Sequence, residues 1–441
     1  MIPSFESCLT HVEQGSRPFY RGRVDIVSGV LVEAVGVPAA LGELCRIDRG
    51  ELGQIEAEVV GFRGSSTLLM PHGDLAGIAP MQAVVALGRP FATLVSDDLL
   101  GRMLDGFGRP ADDGPELSGG DLRLVRREAP SPLHRVPIDQ RLQTGVRVLD
   151  ALNTIGRGQR LGIFAGSGVG KSSLLGQITR GTDADVVVCC LVGERGREVR
   201  AFLEEVLGKE GRERAVTVVA TSDRAPIERF LAPFVAVTIA EHFRDGGRDV
   251  LFVMDSVTRF AAASREIGLA AGEPPTVRGY PPSFFATMPK LVERMGRTRE
   301  GSITGLLTIL LDGDDPNEPV ADTLRGLLDG HLMLSRELAQ TGHYPAVDVP
   351  NSLSRLMPEL VTPEQLEHAR VVRESIVVYK DGRDMIDIGA YKPGTNPRLD
   401  EAILRMPAIE ALVRQGVSDL TSFAETAELL EYVASAGGGA A

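Results

Sequence analysis

The segment Ala165-Gly166-Ser167-Gly168-Val169-Gly170-Lys171-Ser172-Ser173 carries the residue types needed to hold a triphosphate. It follows the apolar run Leu161 to Phe164 and opens a stretch in which Leu174, Leu175 and Ile178 suit a helix. Glycines let successive backbone N–H groups turn inward around phosphate oxygens, and a helix N-terminus adds partial positive charge. In such a loop the backbone from Gly166 to Ser173 cradles the phosphates. Lys171 holds the β- and γ-phosphates, and the Ser172 hydroxyl ligates Mg²⁺. Ala165 stands where the strict pattern has its first glycine, so the strand before and the helix after carry the assignment. Two acids complete the chemistry. Asp255 ends the apolar run Val250 to Met254, on a strand expected beside the P-loop strand, where a Mg²⁺ water shell needs a carboxylate. Glu194, in Gly193-Glu194-Arg195-Gly196-Arg197-Glu198, lies just past another apolar run and could polarise the attacking water, with Arg195 beside it as a further catalytic candidate. The expected substrate is ATP and the expected metal Mg²⁺.

These residues need a scaffold. Leu161 to Phe164, Val186 to Leu191, Val216 to Ala220, Val250 to Met254 and Leu306 to Leu311 are apolar runs of strand length that alternate with helical patterns. That alternation predicts a parallel, doubly wound α/β sheet with ligands at its carboxyl edge. Val199, Phe202, Leu203 and Val206 predict one apolar stripe on a covering helix. Earlier, Val24 to Val35, Ile55 to Phe62, Thr67 to Met70 and Gln82 to Leu87 are short β-like runs between Gly and Pro, predicting a small barrel or sandwich. After about residue 365 the pattern is mainly helical. The expected division is an arm at 1–21, a β-barrel at 22–95, an ATPase domain at 96–365, a helical domain at 366–436 and a disordered tail at 437–441. In the arm, Ile2, Phe5, Leu9 and Val12 fall on one stripe of a short helix that needs a surface, either a partner or its own barrel.

Composition narrows the function. The 441 residues carry 47 basic and 60 acidic side chains, a net charge of −13, which gives no broad basic footprint for nucleic acid or anionic lipid. No apolar run approaches the roughly 18 residues of a membrane helix, and the N-terminus lacks a basic segment followed by an apolar one. A soluble, unsecreted protein is expected. Cys8, Cys45, Cys189 and Cys190 show no metal-ligand spacing, and the adjacent pair reads as core filler.

Taken together, the three sites resemble the catalytic subunits of rotary ATPases. Pro345-Ala346-Val347-Asp348-Val349-Pro350-Asn351-Ser352-Leu353-Ser354 is similar to the signature of the ATP synthase α and β subunits. Gly193 to Glu198, Pro274 to Ser283, Asp312 to Pro319 and Ile388 to Gly394 resemble the flagellar and injectisome export ATPases, with flagellar favoured. The resemblance implies a RecA-like P-loop core with an N-terminal β-barrel and a C-terminal helical domain. It implies a homohexamer in which Arg355 reaches the neighbouring subunit's nucleotide as an arginine finger. ATP hydrolysis then energises protein export, releasing chaperones and unfolding cargo. Implied partners are a regulator at the N-terminal arm, a coiled-coil stalk in the pore, export-gate membrane proteins and chaperone–cargo complexes. The implied location is the cytoplasmic face of the inner-membrane export apparatus. The 274–283 loop is a candidate for the pore. Many relatives place an aromatic against the adenine after the finger, and Leu366 is read at that position. Two other classes stay open. A non-catalytic ring subunit would lose Glu194 or Lys171, yet both are present. An RNA translocase needs a basic, aromatic-bearing barrel, whereas residues 22–93 hold only Phe62 and Phe91 and no Trp or Tyr.

Overall fold

The computed structural model describes residues 21–117, 119–311, 313, 315 and 318–436. The Ile2, Phe5, Leu9 and Val12 stripe, Cys8, the tail at 437–441 and much of 312–317 lie outside the described residues. The chain forms two compact units, one holding residues up to Ala92 with segments 225–228 and 266–274, the other the remainder.

The first unit is built on a closed barrel in the order β1-β2-β5-β4-β3-β6. Its strands are β1 (Arg21–Ser28), β2 (Leu31–Val35), β3 (Glu43–Asp48), β4 (Gln54–Arg63), β5 (Ser66–Pro71) and β6 (Ala83–Pro90). Val24, Val32, Ala34, Ile47, Ala57, Leu69 and Val84 fill the interior, and closure leaves no unpaired sheet edge. The run Val24 to Val35 divides at Gly29, whose φ of 61° turns β1 back into β2. Strand β3 escapes the sequence reading because Glu43, Arg46 and Asp48 interrupt its apolar residues. A register shift between Glu43 and Cys45 lets Leu44 and Cys45, neighbours in sequence, both be buried.

The second unit carries a nine-stranded sheet. Its strands are β7 (Met103–Asp105), β8 (Arg160–Ala165), β9 (Val186–Val192), β10 (Ala215–Ala220), β11 (Asp249–Asp255), β12 (Gly296–Arg297), β13 (Ser302–Leu310), β14 (Gly330–Met333) and β15 (Leu353–Ser354). The order is β15-β14-β8-β13-β11-β9-β10-β7, with β12 antiparallel on β13 and β15 antiparallel on β14. Strands β8, β9, β11 and β13 are buried almost throughout, as their continuous apolar runs require. One expectation is corrected here. The Asp255 strand β11 is not beside the P-loop strand β8, because β13 pairs in parallel with both and separates them.

Helix α1 (Lys171–Gly181) follows β8, and α2 (Gly196–Ala201) follows β9. The predicted stripe Val199, Phe202, Leu203, Val206 faces the core, Val199 and Phe202 within it and Leu203 and Val206 packed against it. Residues 202–207 form a π-helical segment, whose wider turn buries Leu207 while Leu203 and Val206 are only partly buried. Val206 meets α1, where a Cβ on Gly176 would come within 2.8 Å of its Cγ1. Further along, α3 (Pro226–Asp245) and α4 (Val257–Ala271) flank β11 in sequence. Three C-terminal helices follow: α5 (Pro363–Asp387), α6 (Pro397–Val413) and α7 (Phe423–Ser435). Capping boxes at Thr362 with Gln365 and at Ser422 with Glu425 start α5 and α7. Val372, Ile409, Leu412, Leu430 and Val433 from these helices join Leu149, Leu174 and Ile178 in one apolar core, which fixes them to the sheet. Among the described residues, no helix is long and apolar enough to cross a membrane.

Candidate active site

The P-loop takes its shape from three local choices. Ala165 is the last residue of β8, paired in register with Leu310, so it sits in extended backbone where no glycine is needed. Gly168 and Gly170 have φ of 79° and 91°, conformations that side chains rarely adopt. No side chain caps α1, and its first helical bond runs from Leu174 N to Gly170 O at 3.0 Å. The first-turn amides therefore have no intrahelical acceptor. Ser167, Gly168, Ser172 and Ser173 are exposed around this turn, while Val169 is buried as its anchor.

Lys171 and Asp255 meet across the intervening strand. The Lys171 Nζ contacts Asp255 Oδ1, and both side chains are largely buried. The Thr308 hydroxyl of β13 donates to the same oxygen at 2.8 Å. Thr308 was not singled out from sequence, because nothing local marks β13 as the strand between the two sites. Glu194 lies just past the end of β9. Burial pushes its carboxyl up to about 7, a hydrogen bond with Glu198 and the charge of Asp255 add to the rise, and Lys171 and Arg259 oppose it. The three predicted residues are thus within electrostatic reach of one another. Arg259, on α4, contacts the Gly193 carbonyl and brings its Nε to 3.2 Å from Glu194 Oε1. It is a second residue that sequence reasoning missed, and its place four residues after Asp255 is the signal that could have found it.

Other expected residues lie apart. Arg195 is exposed at the start of α2 and pairs loosely with Glu198 at 3.7 Å. Arg355 is exposed, its N–H bonded to the Asp329 carbonyl at 3.0 Å and its Nη2 to the Arg325 carbonyl at 3.2 Å. Asp329 in turn pairs with Arg160, which begins β8. Arg355 therefore sits at the amino edge of the sheet, about one six-residue strand, roughly 20 Å, from the P-loop of its own subunit. Leu366 lies in the first turn of α5, shortly after Leu360, which packs against Gly156 before the amino end of β8. The aromatic ring at the P-loop belongs instead to Tyr344, 40% exposed, whose Cε1 lies 3.0 Å from where a Cβ on Gly170 would stand. The 274–283 loop contains a tight turn with Arg278 at φ 49°, paired to Asp315 at 3.0 Å. Cys189 and Cys190 are fully buried in β9, and burial, with Asp255 adding, pushes the Cys189 thiol up to about 12, as core filler requires. No group of three or more metal-ligating His, Cys, Asp or Glu side chains occurs among the described residues.

The donor set fits a magnesium nucleotide: uncapped amides, one lysine, an exposed serine hydroxyl and a buried aspartate. Comparison with known proteins agrees. Residues 145–354 match the nucleotide-binding domain of the ATP synthase alpha/beta family, and residues 361–432 match the C-terminal domain of the type III secretion ATPase EscN. The chain is 48% identical to the flagellum-specific ATP synthase of Bacillus subtilis, over 90% of this chain and 91% of that protein. It is 47% identical to the type 3 secretion system ATPase of Xanthomonas euvesicatoria, over 93% of each. The solved structure of assembled EscN from enteropathogenic E. coli superposes with a TM-score of 0.89 at 43% identity, covering 94% of this chain and 100% of that one. The chain belongs to the family of flagellum-specific ATP synthases and type 3 secretion system ATPases, and it hydrolyses ATP to energise type III protein export.

Proposed function

We propose that hydrolysis runs at the Lys171–Asp255–Glu194 cluster and is completed only between adjacent copies of the chain. The amides from Gly166 to Ser173 and the Lys171 ammonium bind the β- and γ-phosphates, and the Tyr344 ring receives the base. Ser172 and Asp255 would hold Mg²⁺, which when bound would neutralise charge developing on the phosphate oxygens. Glu194 accepts a hydrogen bond from water, orients it in line with the γ-phosphate and takes up its proton, while Arg259 fixes the carboxylate's direction. Arg355 acts on the next subunit's nucleotide, and Arg195, exposed next to Glu194 in the chain, acts beside the γ-phosphate. The observation that carries this reading is the position of Arg355 at the sheet edge opposite its own P-loop. A homohexamer follows, supported by the likeness to EscN solved as an assembly. The likeness to EscN solved in complex with its central stalk EscO, at a TM-score of 0.87, supports a stalk partner here.

The remaining roles rest on family membership: a regulator at the N-terminal arm, export-gate membrane proteins, chaperone–cargo complexes and a cytoplasmic location at the export apparatus. Flagellar export is the favoured branch. Injectisome secretion is the second reading, favoured by the 47% identity to the Xanthomonas ATPase. Deleting the gene and scoring motility against secretion of virulence substrates separates the two. The direct test of mechanism is phosphate release by purified Glu194→Gln. We expect ATP binding to persist and turnover to fall by about 10²-fold or more. Wild-type turnover would remove Glu194 from the mechanism.

A further inference from the structure

The turn joining α6 to α7 is held on three sides. From α1, buried Gln177 donates to the Gly416 carbonyl at 2.7 Å, and Arg180 donates to the Val417 carbonyl at 2.8 Å. From the segment before the sheet, the Arg147 guanidinium donates to the carbonyls of Ala411, Leu412 and Arg414, closing the C-terminal end of α6. The third side is Tyr344, whose carbonyl accepts the Gln415 N–H at 2.9 Å.

Gln415 ties these sides together. It is 5% exposed, and its carboxamide is satisfied at both ends. Its Oε1 accepts from Arg147 N at 2.8 Å, and its Nε2 donates to the Gly145 carbonyl at 2.8 Å and the Asp419 carbonyl at 2.7 Å. The side chain therefore fixes its own backbone, and that backbone fixes the peptide of Tyr344. A buried amide with every bond made resists small displacements, because moving it strands polar atoms away from water. The Tyr344 ring, by contrast, is partly exposed and lies against Gly170 of the P-loop, so its position depends strongly on its backbone.

We propose that Gln415 is a positioning residue for nucleotide binding: it sets Tyr344 over the P-loop and thereby the affinity for the base. The proposal rests on the reading that the base stacks on Tyr344. It assigns Gln415 no contact with the reacting atoms, so its loss should act on KM and spare kcat.

The test is a double-mutant cycle on the full-length assembled protein, reading steady-state ATP hydrolysis. Gln415→Ala is expected to raise KM for ATP about three- to tenfold with kcat within about twofold of wild type. On a Tyr344→Ala background, the same change should leave KM unaltered. Gln415→Glu keeps the size and the acceptor for Arg147 but loses the two N–H donors, and it should raise KM in the same direction. Should Gln415→Ala fold poorly, direct binding takes the place of kinetics. The chain has no tryptophan, so Tyr344→Trp gives a single fluorescent reporter whose ATP titration should weaken when Gln415→Glu is added. An unchanged KM in Gln415→Ala, an equal effect with and without Tyr344, or a matching fall in kcat would overturn the positioning role. If Tyr344→Ala alone leaves KM unchanged, the base-stacking reading fails and the proposal falls with it.

Discussion

Glu194 owes its chemistry to where its carboxyl is held. A glutamate in water ionises near 4.3, but burial beside Glu198 and Asp255 pushes this one up to about 7. Below that value it is protonated and cannot accept the proton of an attacking water. The kcat/KM for ATP should therefore rise with pH along a limb centred near 7, falling about tenfold per unit well below it. Glu194→Gln should show no such limb at its residual rate. A wild-type profile flat from pH 6 to 8 would place the water-activating group elsewhere. Arg259 adjusts the same carboxylate from the other side, since its guanidinium favours the charged form. Arg259→Ala should shift the limb upward in pH, a change that loss of packing alone would not produce.

Local elements set the geometry in which those side chains act. The P-loop turn depends on positive φ at Gly168, where an added methyl would meet no atom within 4 Å. The cost of Gly168→Ala is therefore backbone strain, about 1–2 kcal/mol, and should appear as weaker ATP binding in an equilibrium titration, by about tenfold. A second element, the short helix Arg147–Leu152, carries Asp150, which accepts from Thr144 N and Oγ1 and from Gly145 N. Burial outweighs these bonds and pushes its carboxyl up to about 7, from a model-peptide value near 3.9. The folded state then holds more protons than the unfolded state between about pH 4 and 7. Stability contributed by this group is fully present below about 4 and is lost as pH rises through 7, by up to about 1.4 kcal/mol per unit. Denaturant unfolding across that window should show a shallower pH slope in Asp150→Asn. An identical slope would mean that Asp150 is ionised in the fold.

On the scale of the whole molecule, the proposed action of Arg355 on a neighbour's nucleotide would make assembly part of the chemistry. Arg355→Ala should bind ATP but lose most turnover, since an arginine finger is worth about 10³ to 10⁵ in rate. Lys171→Ala should lose the phosphate grip. Mixed and reassembled, the two inactive variants should regain activity, because some interfaces then join an intact Lys171 to a neighbour's intact Arg355. With random mixing, about a quarter of interfaces qualify. If mixtures stay as inactive as their parts, Arg355 does not act across subunits.

The sequence by itself determined whatever depends on a short stretch of chain. The glycines at 168 and 170 are needed for local φ, the run Val250 to Met254 is a strand because both its faces are buried, and Lys171 opens a helix because Leu174, Leu175 and Ile178 give that stretch an apolar face. Those requirements act within a few residues and leave their mark on residue type. What only the tertiary structure decided was which segments become neighbours. Strand order put β13, with Thr308, between β8 and β11, and Tyr344 rather than Leu366 came to the P-loop. A π-helical turn added Leu207 to the core beside the stripe of Val199, Phe202, Leu203 and Val206. Each outcome follows from packing between segments far apart in the chain, where many pairings bury similar apolar area and no local pattern selects among them.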